Sequence, residues 1–145
     1  LGGTIDRRRL AEAVAREACV GETVAAAEAR IASEACRDPA MARSLAKIAA
    51  DEERHAQLGW RTLAWLLEGL DPASRAGVLG VMEEAIESAL EGLVTAPPVA
   101  ADSPEEAVAR AFGLLPAGER AALVRCALEE IVRPCAGALA QRVAA

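Results

Sequence analysis

The stretch DEERHAQLGWRTLAWLL, residues 51–67, holds the only histidine of the chain, His55, and it reads as part of a long helix. Along that helix the positions Met41, Leu45, Ile48, Glu52, His55, Gly59, Thr62 and Leu66 are spaced alternately by four and three. Such spacing makes one seam, expected to face the core. Glu52 and His55 take consecutive places in it, whereas Asp51, Arg54, Arg61 and Glu68 fall off it as solvated charges do. The preceding helix repeats the pattern at Val14, Ala18, Glu22, Ala25, Ala29, Ala32 and Cys36, with Glu22 as its only charged member.

The rest of the chain fits an all-α reading. It has 145 residues, the size of one domain, taken here as residues 1–145, and 53% are hydrophobic, with only Trp60, Trp65 and Phe112 aromatic. Ala, Leu, Glu and Arg, all strong helix formers, dominate it. A net charge of -6 leaves no basic footprint for nucleic acid. No apolar run reaches membrane-span length, and no targeting segment is visible, so a soluble, cytoplasmic protein is expected. The chain begins at Leu1 without a Met, which reads as a piece of a longer protein whose upstream part carried any leader. Cys19, Cys36, Cys126 and Cys135 form no C-x-x-C pair and are expected to be small buried residues.

Punctuation divides the chain. Asp38-Pro39 and Asp71-Pro72 each offer an N-cap followed by proline, Ser103-Pro104-Glu105-Glu106 adds a capping box, and Pro116 opens a last helix. Gly69, Gly92 and Gly113 stand where C-caps are expected. The predicted helices cover residues 6–36, 39–68, 72–92, a short 104–112 and 116–143, with a loop at 95–103 and a kink at Pro134. The near-absence of a connection between the first two makes them an antiparallel hairpin.

Carboxylates in a core-facing seam need compensation, and a metal cation supplies it. Bundles that bind two irons or manganese ions take one Glu from each of two helices and Glu-x-x-His from each of the other two. Glu52 and His55 have that i, i+3 spacing, which puts both side chains on one face. Glu22 lies 16 residues before Asp38 and Glu52 lies 14 after it. Across the hairpin their heights therefore differ by roughly 3 Å. Carboxylate and imidazole donors together suit iron, manganese or zinc.

With CVGETVAAAEAR (residues 19–30) and IAADEERHAQLGWR (residues 48–61) in view, the chain resembles the ferritin-like superfamily in its rubrerythrin-like form. The likeness covers residues 10–67. It implies an antiparallel four-helix di-iron carboxylate bundle, here four main helices plus one short one. Iron oxidation, peroxide reduction or iron storage would be its activity. It also implies that Glu22 is the first-helix carboxylate ligand, Glu52 the bridging carboxylate and His55 the imidazole ligand.

The pattern then breaks. Glu83, Glu84, Glu87 and Glu91 lie off or at the edge of the Val78–Met82–Ile86 stripe, Glu129 and Glu130 point away from the Leu123–Ala127–Ile131–Cys135 stripe, and Arg133 stands where a second His is needed. The chain carries one half-site. A second copy, as a homodimer, or a missing upstream segment completes it, or else it is a relic that holds one ion weakly or none. Two other readings stand beside this one: a structural or interaction helical module without chemistry, and a mononuclear zinc or manganese hydrolase that uses the same three ligands.

Overall fold

The computed structural model describes residues 6–94 and 104–144, and every element among them is helical. The expected loop at 95–103, with the capping Ser103, lies outside the described residues. The first rod joins α1 (Arg7–Ala13), a π-helical stretch (Val14–Gly21) and α2 (Glu22–Ala35). There follow α3 (Pro39–Glu68), α4 (Pro72–Val94) and the short α5 (Pro104–Ala111). The last rod is α6 (Ala117–Ala127), a second π stretch (Leu128–Val132) and α7 (Arg133–Ala144). No described helix is long and apolar enough to cross a membrane.

Capping explains where the rods begin. Asp38 Oδ1 accepts the Met41 N–H at 2.7 Å and Pro39 takes the first turn of α3, while Asp71 Oδ1 accepts the Ser74 N–H at 3.0 Å at the start of α4. Gly113 has φ +84°, a conformation glycine adopts freely, and it ends the α5 turn. A Cβ there would fall 2.7 Å from the Ala32 carbonyl oxygen, so glycine also permits the close docking of residues 112–115 on α2. The other two expected caps differ. Gly69 ends α3 without a left-handed φ, and Gly92 lies inside α4, which runs on to Val94. The helix expected from Pro116 starts at Ala117.

The first rod and α3 form the antiparallel hairpin. Trp60 Nε1 donates to Thr23 Oγ1 at 3.3 Å, and Ala18 lies against Gly59 while Arg30, twelve residues on, pairs with Glu53 at 2.8 Å, so contacts that climb one rod descend the other. The core sits at the end of this hairpin away from its turn. There Ala11, Ala15 and Cys19 meet Leu63, Leu66 and Leu67 of α3, with Val78, Met82 and Ile86 from α4 and Leu128 and Val132 from the last rod. Nearer the turn, residues 22–58 bury only Thr23, Ala49 and Ala56.

Two expectations about faces, and one about the cysteines, need correction. The buried line on the first rod is Ala11, Ala15, Cys19 and Thr23, not Val14, Ala18 and Glu22, which are half-buried. A strict repeat of four drifts around a helix of 3.6 residues per turn, and the wider π winding holds it on one side. On the last rod, Val124, Leu128 and Val132 are buried, whereas Ile131 and Cys135 are exposed. A π stretch stands just before Pro134, where a kink is expected. The wide turn relieves the proline's clash with the carbonyl four residues back and its missing N–H bond. Of the cysteines only Cys19 is buried, and all four are free thiols. Burial, with Cys135 nearby, pushes the Cys19 thiol up to about 12, so it stays protonated.

Candidate metal centre

Glu22, Glu52 and His55 come together. One potential ligand atom from each lies within 4.8 Å of the others, and they are the one such group of His, Cys, Asp and Glu side chains among the described residues. The hairpin delivers them. Gly59 brings the two rods close one turn beyond His55, because a Cβ there would stand only 2.6 Å from the Ala18 Cβ. Glu22 is the first residue after the π stretch, and its N–H bonds the Glu17 carbonyl five residues back. The π winding therefore sets the rotation at which Glu22 leaves its rod, and π turns of this kind recur at functional sites.

The hydrogen bonds define the donor set. His55 Nδ1 lies 3.2 Å from Glu52 Oε2. With the Nδ1 proton donated to that carboxylate, Nε2 keeps its lone pair for a metal. Glu22 and Glu52 share a hydrogen bond. As its proton donor, Glu22 is held above the usual carboxylate range, and partial burial and the Glu52 charge add to the effect. Glu52 is held below it by the hydrogen bonds from Glu22 and His55. Two carboxylates this close favour sharing one proton over carrying two full charges, which raises one and lowers the other.

The donors fit a transition-metal ion. Oxygen and nitrogen ligands stand about 2.0–2.2 Å from zinc, so two ligands of one ion are at most about 4.4 Å apart. A spread of 4.8 Å would close on one ion with small side-chain rotations, with Glu22, Glu52 and His55 as the residues to hold it.

The site does not face the core. Glu22 and Glu52 are half-buried, and the His55 side chain is 62% exposed. The seam read from the sequence splits between two faces: Gly59 packs against Ala18 of the first rod, whereas Met41, Ile48 and His55 are exposed. One turn before Glu52, Ile48 is 47% exposed.

Three of the acidic residues weighed for a second half-site, Glu83, Glu87 and Glu129, are engaged in ion pairs instead. Arg133 pairs with Glu83 and Glu87 of α4 and with Glu129 one turn back, and so ties the last rod to α4. The sequence reading passed over Thr23, whose hydroxyl donates to the Cys19 carbonyl at 2.6 Å and accepts from Trp60. A small polar residue between alanines gives no pattern from which that role is read. Comparison with protein-family models, characterised proteins and solved structures finds no match for this chain.

Proposed function

We propose that this chain is a ferritin-like metal-binding protein of the di-iron carboxylate type that oxidises Fe(II) with O₂ or peroxide. One observation carries the reading: two carboxylates and an imidazole from two rods converge within 4.8 Å. The triad is half of the four-Glu, two-His set that di-metal bundles use. Glu52 would bridge, Glu22 would hold one ion, and His55 would coordinate through Nε2. Bound iron supplies the redox chemistry. The protein's own part is to fix the imidazole through Glu52 and to present the Glu22 and Glu52 carboxylates together to the arriving cation. The exposure of His55 on an open face favours completion by a second copy over a single-ion relic.

The test is anaerobic Fe(II) titration followed by native mass measurement. Binding is expected in the parent chain and lost by at least about 10-fold in His55→Ala and Glu52→Ala. Equal binding in His55→Ala would remove the assigned site. The hydrogen-bonded triad also suits a helical interaction module without chemistry. That reading predicts no metal binding and no change in melting temperature when Fe(II) is added.

A further inference from the structure

The outer face of α3 carries a seven-residue repeat that is open to solvent over much of its length; Arg7 of α1 lies over the Trp65 ring at 4.8 Å, and Met41 borders a groove shared with α2 and residues 112–114. One line of it is Met41, Ile48, His55 and Thr62; the other is Ser44, Asp51, Leu58 and Trp65. Met41, Ile48, Leu58 and Trp65 are 44%, 47%, 62% and 58% exposed, an unusual load of large apolar side chains on one helix face. The two lines are related by reversal about position 53. Met41 lies twelve residues before it and Trp65 twelve after; Ile48 lies five before and Leu58 five after. Asp51 and His55 are two on either side, and Ser44 and Thr62 nine on either side. Every such pair matches in chemistry: apolar with apolar, acid with imidazole, hydroxyl with hydroxyl.

We infer that two copies of this chain pair through α3, antiparallel about a twofold axis at residue 53, so that each copy's Glu22, Glu52 and His55 complete the other's half-site. This inference rests on the metal reading above and names its partner and register. In an antiparallel helix pair the two lines of a seven-residue repeat pack against each other, and a twofold interface brings residue i to j and j to i. Met41 then meets the partner's Trp65 and Ile48 the partner's Leu58, while Asp51, ion-paired with Arg54 of its own copy, comes level with the partner's His55. Met41 also stands at the rim of a groove of about 530 Å³ with Leu45 and Phe112, which leaves room for an indole.

Other registers mismatch. A slip of one repeat sets Ile48 against Asp51 or His55 against Leu58, and a parallel pair sets Asp51 on Asp51 and His55 on His55. In the matched register the two Glu52 residues sit two positions apart along the shared axis, roughly 3 Å. Both triads therefore arrive within one turn of each other.

Disulfide trapping tests the register. Ile48→Cys and Leu58→Cys are made separately in full-length chains with Cys36, Cys126 and Cys135 changed to Ser, leaving only the buried Cys19. Both new sites are exposed, so the fold tolerates them. Mixing the two variants under diamide is expected to give a covalent dimer, while either alone gives none. Positions 48 on the two copies would lie ten residues apart along the axis, roughly 15 Å, beyond disulfide reach.

Equal trapping by Ile48→Cys alone would overturn the antiparallel register. A monomer at all concentrations, with and without Fe(II), would overturn the pairing. The two readings fail separately. His55-dependent Fe(II) binding without trapping removes the register and leaves the metal site. Trapping without Fe(II) binding supports the interface and removes the metal.

Discussion

His55 Nδ1 and Glu52 Oε2 lie 3.2 Å apart, one turn along α3, and neither side chain is part of the core. The proposed metal binding is therefore separable from folding at these positions. Glu52→Gln is expected to reduce Fe(II) affinity at least about 10-fold, because an amide neither bridges ions nor fixes the imidazole with a charge. Stability should stay within about 0.5 kcal/mol, the range of surface substitutions. Isothermal titration and thermal unfolding on the same sample check both. A large fall in melting temperature would show that Glu52 is structural.

The Glu22–Glu52 proton gives the site a pH signature. Glu22 is raised in the folded chain, so its contribution is full below the unfolded carboxylate range and lost as pH rises through the folded value. Glu52 is lowered, so its contribution is present above the unfolded range and lost as pH falls through the folded value. Metal-free protein should thus lose stability as pH climbs through the raised Glu22 range, and Glu22→Gln should remove that decline. Metal addition below the raised Glu22 value should release a proton, fading as pH rises above it. Titrations in buffers of different ionisation enthalpy count that proton. No release at any pH would mean that no cation takes its place.

Much of this architecture is legible in the sequence, and the failures have physical causes. The caps at Asp38 and Asp71 act through side-chain oxygens at fixed spacing, so α3 occupies the expected residues 39–68. The convergence of Glu22 with Glu52 follows from counting rise on both sides of a tight turn. The core face of the first rod is not legible, because a π turn changes the period with no distinguishing residue. Nor is the exposure of His55. On α3 the hairpin line and the outer stripe are neighbouring faces, and periodicity does not say which has a partner within the chain.

Gly59 tests the spacing of the rods. An alanine gains about 1 kcal/mol of helix propensity, but its Cβ falls 2.6 Å from the Ala18 Cβ, and overpacking of this kind costs about 1–3 kcal/mol. Gly59→Ala is therefore expected to be net destabilising and to weaken metal binding by spreading the rods at His55. Ala18→Gly in the same chain should restore binding and much of the stability, with a coupling seen in a double-mutant cycle. A single variant as stable as the parent, with binding intact, would show that the contact sets nothing at the site.

Leu58 and Leu63 divide the two faces of α3 by function. Leu63 is fully buried against the first rod and α4, so Leu63→Ala should cost about 2–5 kcal/mol whatever the protein concentration. Leu58 is 62% exposed, so Leu58→Ala should leave the dilute chain within about 0.5 kcal/mol of the parent. If its stripe pairs with a second copy, the substitution should instead lower the melting temperature only at concentrations where the parent is dimeric, because association stabilises by mass action. Unfolding followed over a hundredfold range of concentration separates the cases. A Leu58→Ala effect that is independent of concentration would place that side chain in the packing of the single chain.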